Sequence, residues 1–340
     1  MIAIDDGYGD VKVGNGEEFR VIPSKATNGR VVQSRYSGGK FVSGGAPVLE
    51  TEGSIFTLQD GPNAESTRFD DWPNSALNRV LCRHAACSLG MVDGDMVVTG
   101  LPMSVYFDRT GQVNRLAVNR RVESLKKQVI QETSDGLRRH LAVPGRIKIL
   151  PQGMAAIFDY LIQDDGSMTQ MDRIGVVDVG SRTTDVAVYT ITDDGEGAIE
   201  MSRSGGFQQG VSDMVDVLME ELQRSLRLQA LPLPGAAGKA LRSGQFKVSG
   251  EVHNVESQRL HVMRTVIPQI MDKATHILSG GQGLAGLMDL DAILLVGGGA
   301  YMVRASGWQL WDQGRIPDAP ELANVRGMAK MGMLLDKGNW

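Results

Sequence analysis

A pattern that occurs twice limits the architecture of this 340-residue chain more than any other feature. A short β-prone run, Ile2 to Ile4, enters Asp5-Asp6-Gly7-Tyr8-Gly9-Asp10 and leaves on Val11-Lys12-Val13, which alternates apolar and polar side chains as a returning strand does. At Ile174 to Val177 the plan starts again. That run enters Asp178-Val179-Gly180-Ser181-Arg182-Thr183-Thr184-Asp185 and leaves on Val186-Ala187-Val188-Tyr189. Asp5 and Gly7 superpose on Asp178 and Gly180, 173 positions later. Two buried strands of one plan, each closed by a glycine-built hairpin, predict two halves that share an architecture. The length agrees, because roughly 100–200 residues make one domain.

Other elements fall around this frame. A helix is expected from Asn74 or Ser75, as its cap, to Gly90, followed by a strand at Met96 to Thr99. A polar-faced helix over Val118 to Thr133, a strand at Ile147 to Leu150 and a helix at Met154 to Ile162 complete the first half. The polar linker Asp164-Asp165-Gly166-Ser167 then marks the neighbourhood of the boundary. Residues 24–73, rich in Gly, Ser, Thr and Asn with β-prone pieces at Lys40 to Ser43 and Ser54 to Leu58, read as a small, weakly cored, mobile subdomain. In the second half a strand is expected at Ile199 to Ser202, a turn at Gly205-Gly206, and a helix from Gly210 to Leu228. A Pro/Gly-rich stretch from Leu231 to Gly238, a helix from Val255 to Leu278, the strand Ala292 to Val296, the cluster Gly297-Gly298-Gly299 and a closing helix from Glu321 to Leu335 follow.

Charge and composition exclude several classes. No apolar run approaches the ~20 residues of a membrane-spanning helix, and the acidic start Met-Ile-Ala-Ile-Asp-Asp has no resemblance to a secretion signal, so a cytoplasmic chain without a membrane partner is expected. The net charge of −5 and 5% aromatic content disfavour direct nucleic-acid binding. Between Arg115 and Lys148, however, nine bases face three acids; this is either a solvated helix face or a contact surface for a neighbouring subunit or acidic partner. Cys82 and Cys87, five apart in a helix, lie about 140° apart around its axis and read as buried thiols rather than a bridge.

A glycine hairpin tip gathers backbone N–H groups into a nest that holds phosphate oxygens with no Cβ in the way. Two such tips from two halves clamp a polyphosphate between domains, with Asp5 and Asp178 holding a hydrated Mg²⁺ against its charge. Gly297 to Gly299, between a buried strand and a helix, lets backbone lie flat against a nucleoside. Together these describe a nucleotide in an interdomain cleft. No GxxxxGK[ST] occurs, no GxSxG occurs, and Gly281-Gln282-Gly283-Leu284-Ala285-Gly286 fits GxGxxG only in the reverse helix-then-strand order.

In this order the pieces resemble the actin-like ATPase superfamily, most closely the ParM/StbA-type plasmid-segregation actins. Asp5 to Lys12 is similar to the first phosphate loop, with Gly-Tyr-Gly-Asp wording like that of archaeal actin relatives. Leu150-Pro151-Gln152-Gly153-Met154 resembles the first connecting segment, Asp178 to Asp185 the second phosphate loop, Ile293 to Ala300 the adenosine loop, and Pro320 to Gly332 the second connecting helix. Thr99-Gly100-Leu101-Pro102 with Tyr106-Phe107-Asp108-Arg109 is similar to a ParM-type stretch.

The resemblance implies an α/β, two-domain actin/chaperone/sugar-kinase-like fold of duplicated ribonuclease H-like halves. Domain I would take residues 1–160 and 325–340 with an insertion at about 20–73, and domain II residues 161–324 with an insertion at about 206–265. It also implies an ATPase that binds ATP with Mg²⁺, polymerises with it, depolymerises after hydrolysis, and moves plasmids through an adaptor protein on centromere DNA. Carried over by position, Gly7, Tyr8, Gly9, Asp10, Lys12, Gly180, Ser181, Arg182 and Thr183 would surround the phosphates, and Gln152 would orient the attacking water. Asp5 and Asp178 would complete the catalytic and metal set. Gly206, Gly210, Gly297, Gly298, Gly299 and Ala300 would approach the nucleoside, Gly210 at a helix N-terminus whose dipole favours phosphate. Tyr8 departs from the small hydroxyl residue common in relatives, Ser181-Arg182 from Gly-Thr, and Gln152 from the Glu of several ParM-type proteins. Asp10 and Asp185 also read as simple turn caps. The competing readings are a sugar-kinase-like or chaperone-like ATPase of the same superfamily, and a filament with another cargo.

Overall fold

The computed structural model describes residues 1–31, 34–43, 45–60, 64–133, 136–163, 165–191 and 197–336. The linker residue Asp164 and the acid Asp135 of the basic stretch lie outside them. The chain divides into two compact units, one of residues 1–101, 105–151 and 325–340, the other of residues 102–104 and 152–324. The division falls at 151/152 rather than at the 160/161 expected.

In the first unit, β1 (Ile2–Asp6), β2 (Asp10–Gly14) and β3 (Phe19–Pro23) are followed by β4 (Thr27–Asn28), the hairpin β5 (Ser34–Ser37) and β6 (Lys40–Ser43), then β7 (Val48–Thr51) and β8 (Ser54–Thr57). Helix α1 (Ala76–Ser88) leads to β9 (Met96–Leu101), the single turn α2 (Met103–Tyr106), α3 (Arg115–Lys126), the short β10 (Ile130–Glu132) and β11 (Arg138–His140), and β12 (Arg146–Pro151). The main sheet has the order β12-β9-β1-β2-β3. Its centre, β1, is antiparallel to β2 with Asp5 opposite Lys12, and parallel to β9. Ile2, Ile4, Val11, Val13 and Val97 are buried with Val80 and Leu81 of α1. The second sheet, β11-β10-β7-β8-β4, sends Leu49 and Phe56 into that same core, so the region expected to be weakly cored shares the unit's core. Ser75 caps α1 by accepting from Asn78 N, and Gly90 at φ 84° ends it.

In the second unit, α4 (Met154–Leu161) precedes β13 (Arg173–Val179), β14 (Thr184–Ile191), β15 (Gly197–Ile199) and β16 (Gly205–Phe207). Next come α5 (Val211–Ser225), α6 (Pro234–Ser243), the hairpin β17 (Gln245–Val248) and β18 (Glu251–Asn254), α7 (Glu256–Leu278), β19 (Ala292–Val296), α8 (Ala300–Ser306) and β20 (Gly314–Arg315). The closing helix α9 (Ala323–Asp336) gives its first two residues to this unit and the rest to the first. The sheet order is β15-β14-β13-β19-β20, with β16 also on β14. Its centre, β13, is antiparallel to β14 with Asp178 opposite Asp185, and parallel to β19. The plan of the first unit is thus repeated strand for strand.

Four expectations are corrected. The helix expected over 118–133 is α3, which starts at Arg115 under an Asn114 cap and stops where Lys127 turns extended; the β-branched Val129-Ile130 then feeds β10, paired with β7. Met201–Arg203 is a 3-10 turn rather than the end of a strand. Gly205-Gly206 is not a turn but part of β16. The stretch from Leu231 contains α6, because Pro234 is tolerated in a first helical turn and the Ala residues behind it favour helix.

Candidate functional site

The first hairpin tip is shaped by its carbonyls. Ser24 Oγ donates to Gly7 O at 2.7 Å, Ser24 N to Gly9 O at 2.9 Å, and Thr67 Oγ1 to Tyr8 O at 2.7 Å. In a trans peptide the N–H points opposite to the preceding C=O. The amides of Tyr8, Gly9 and Asp10 are therefore turned away from Ser24 and Thr67, which is the geometry of an anion nest. A Cβ on Gly7 would sit 3.0 Å from Asp10 O, so only glycine closes this turn without displacement. The Tyr8 ring stacks on Trp72 with centroids 6.0 Å apart, and Trp72 Nε1 donates to Asp6 O at 2.9 Å. Tyr8 thus places its side chain in packing and keeps its backbone for the tip.

Asp5 and Asp6 point to opposite faces of β1, as neighbours in a strand must. Lys12 Nζ lies 2.8 Å from Asp5 Oδ2, both side chains being largely buried, and 3.6 Å from where a Gly7 Cβ would stand. The ammonium charge sits beneath the tip. Asp6 instead meets Arg121 at 2.9 Å and Asn78 Nδ2 at 2.7 Å. Burial pushes its carboxyl up, opposed by Arg121 and Asn78. Arg121 is fully buried, and Arg120, Lys127, Arg138 and Arg146 pair with acids, so the basic stretch is mostly neutralised within its own unit. Burial raises the Cys82 thiol to about 12, in keeping with an inert core sulfur.

The second tip repeats the device with other partners. Val211 N donates to Gly180 O at 3.1 Å, Ser212 N to Ser181 O at 2.7 Å, and Gly299 N to Val179 O at 2.9 Å. The amides of Gly180, Ser181 and Arg182 turn the other way; that of Gly180 donates to Thr183 O at 2.9 Å. A Cβ on Gly180 would stand 3.0 Å from Thr183 O, the same offset and distance as at Gly7. Gly210 lets α5 approach: a Cβ there would lie 2.6 Å from Gly180 O. Its own N–H goes to Asp213 Oδ2 at 2.8 Å. The first amides of α5 are therefore engaged by the loop and by Asp213. Arg182 is half-buried in the turn rather than extended into solvent.

Around Asp178 the second unit gathers most of its predicted residues. Asn324 Nδ2 donates to Asp178 Oδ2 at 2.6 Å while Asn324 Oδ1 accepts from Gly153 N at 3.2 Å. Gln152, partly exposed, immediately precedes that anchored glycine. A Cβ on Gly297, which has φ 81°, would fall 2.3 Å from Asp178 Oδ1, and one on Gly299 would fall 2.3 Å from Val179 Cγ1. Gly298 alone of the three is exposed, and Ala300 is buried at the start of α8. Asp185, across from Asp178, accepts from Met103 N at 3.1 Å, and Thr183 Oγ1 lies 3.4 Å from its Oδ2. Burial, then the charge of Asp178, push the Asp185 carboxyl up to about 7. Gly206 stands opposite Asp185 in the sheet, where a Cβ would be 2.8 Å from its Oδ1.

Among the described residues no group of three or more His, Cys, Asp or Glu forms a ligand cluster. Asp5 and Asp178 are hard oxygen donors, each already bonded to a nitrogen. Each by itself suits a cation that keeps most of its water, as Mg²⁺ does, better than one caged by side chains. Sequence reasoning missed Asn324, Ser24 and Thr67. Asn324 has partners 146 and 171 positions away, a separation that no local pattern encodes.

Two α/β units of one plan, each with a carbonyl-anchored glycine tip, define a two-domain actin-like fold. Residues 3–154 match the model of the actin-like proteins N terminal domain, and residues 176–306 that of the archaeal actin homologue MreB-like, C-terminal. An archaeal actin homologue of Thermoplasma volcanium is 32% identical over 237 residues, 66% of this chain and 67% of that one. The chain belongs to the actin-like protein family. Its fold is also that of a 15-stranded ParM filament from Clostridium botulinum, with a TM-score of 0.76, 21% identity and 98% of each chain covered. A similar likeness is found to the archaeal actin homologue Ta0583 in complex with ADP, with a TM-score of 0.74, 21% identity and 98% of each chain covered.

Proposed function

We propose that the two tips hold the phosphates of one nucleoside triphosphate, taken as ATP with Mg²⁺, and that its hydrolysis times the assembly and disassembly of a homopolymeric filament. The observation that carries this reading is the repeated anchoring of tip carbonyls at Gly7, Tyr8 and Gly9 and at Val179, Gly180 and Ser181. Nests of this kind bind anions, and one in each half suits a chain of phosphates. Bound Mg²⁺ would supply charge neutralisation at the phosphates, with Asp5 and Asp178 holding its water shell. Gln152, a neutral side chain, would orient the attacking water by position rather than abstract its proton. Lys12, beneath the first tip, would add positive charge near the phosphates.

The cargo we propose is plasmid DNA reached through an adaptor protein, on the likeness to a ParM filament. A second reading, a cytoplasmic filament with another cargo, draws on the higher identity to the Thermoplasma homologue. Light scattering and pelleting of the purified chain with Mg-ATP against ADP test the assembly step, with a rise expected for ATP only. Asp178→Ala should abolish phosphate release yet still pellet with ATP. Normal turnover by that variant would show that the site is elsewhere.

A further inference from the structure

Aligned by sequence with Asp5 on Asp178, the two tips place Gly7 on Gly180, Tyr8 on Ser181 and Gly9 on Arg182. The first two carbonyls are held in both copies, but by different groups. In the second tip the holders are backbone amides at the start of α5: Val211 N donates to Gly180 O at 3.1 Å and Ser212 N to Ser181 O at 2.7 Å. In the first tip they are side-chain hydroxyls: Ser24 Oγ donates to Gly7 O and Thr67 Oγ1 to Tyr8 O, each at 2.7 Å. Thr67 takes the place of a helix amide.

Tyr8 O belongs to the peptide that ends in the N–H of Gly9, and in a trans peptide these two point opposite ways. Glycine leaves that peptide free to turn over, because without a Cβ it accepts either sign of φ. Turned over, the peptide would aim a carbonyl where the tip otherwise offers an amide, and a phosphate would meet the negative end of the dipole. At the matching place in the second tip the Cβ of Arg182 already disfavours the turned-over form. With Gly9 the hairpin's own sequence does not choose between the two orientations, and the choice falls to a partner outside it.

That partner is built in. Glu65 N donates to Ala26 O at 2.8 Å and Thr27 bridges to Ala64, which joins the stretch carrying Thr67 to the stretch carrying Ser24. Phe69 N donates to Thr67 O at 3.0 Å, and the rings of Phe69 and Tyr8 both lie against Trp72, with centroids 6.0 Å from its own. Residues 65–71 form neither helix nor strand, so these ties are what deliver the hydroxyl to Tyr8 O.

We propose, on the reading of the tips as a phosphate site, that Thr67 is a positioning residue of the first tip. Its hydroxyl fixes the peptide between Tyr8 and Gly9 with the Gly9 N–H turned into the nest, and it acts on the nucleotide through that amide without touching it. The matching duty in the second tip falls to backbone, which no side-chain change removes.

The test compares full-length Thr67→Val, which keeps the branched shape and loses the hydroxyl, with Thr67→Ser, which keeps the hydroxyl. Crystal structures of both without nucleotide read the peptide directly. The Val variant should show Tyr8 O released, with the peptide turned over or in two orientations, and the Ser variant should match the wild type. By calorimetry the Val variant should bind ADP about tenfold more weakly and the Ser variant within about twofold of the wild type, the scale of one hydrogen bond lost or kept at a charged ligand. In ATP turnover the loss should appear in KM more than in kcat, because the amide holds ground state and transition state alike. Unchanged melting temperatures serve as the folding control. A Val variant whose peptide keeps the wild-type orientation overturns the proposal, as does one that binds ADP as tightly as a binding wild type, or a Ser variant no better than Val. A wild type that binds neither ADP nor ATP would count against the function proposed above, and a released peptide in the Val structure would still support Thr67 as the holder of the tip.

Discussion

Lys12 and Asp185 occupy the same register position in two copies of one hairpin, the first opposite Asp5 and the second opposite Asp178. In the first unit the facing pair is a bonded ammonium and carboxylate; in the second it is two carboxylates. The same backbone thus presents a neutral pair at one tip and an acidic pair at the other.

The acidic pair gives a pH dependence with a definite sign. Asp185 keeps its proton in the folded chain up to about pH 7, whereas an unfolded chain releases it near pH 4. Between these values the folded form binds the extra proton, so its contribution is fully present at the acid end and is lost as pH rises through 7. Melting temperature should fall between pH 5.5 and 8, and Asp185→Asn should flatten that fall. Calorimetry of both proteins across the range decides; parallel curves would remove Asp185 from the account.

Asn324 joins Asp178 to the turn that follows Gln152. Asn324→Ala should slow hydrolysis by about tenfold to a hundredfold, the scale of a small misplacement near a reacting centre. Nucleotide affinity should change less, since no tip amide is touched. Single-turnover phosphate release set against a binding isotherm separates the two effects, and a loss confined to affinity would contradict the assignment.

The Arg121–Asp6 pair is buried on both sides. Arg121→Met leaves an uncompensated carboxylate and should cost about 3–5 kcal/mol of stability, while the double change with Asp6→Asn should recover much of it. Urea unfolding of the three proteins measures this. Equal loss in single and double variants would mean that packing, not charge, holds α3 to β1.

Gly7 and Gly180 meet the same steric limit, 3.0 Å to the carbonyl three residues on. Gly7→Ala and Gly180→Ala should each weaken ADP binding measurably by calorimetry, with little loss of fold. An effect at one tip only would separate their roles.

How much of this was legible follows from separation in sequence. The hairpins at Asp5 and Asp178 showed themselves through local alternation and glycine, and the α1 start through Ser75. Strand β10 was hidden inside an expected helix because its partner, β7, lies some eighty positions earlier. Arg121 counted as one of nine surface bases, and only tertiary packing reveals that it neutralises Asp6. Helix α6 was obscured by Pro and Gly, whose breaking tendency is waived in a first turn.

The matching sheet orders, β12-β9-β1-β2-β3 and β20-β19-β13-β14-β15, have an evolutionary reading. Doubling of a gene for one such sheet would leave two equivalent tips in one polypeptide. Within that shared plan the two sheets differ at the register position taken by Lys12 in the first and by Asp185 in the second.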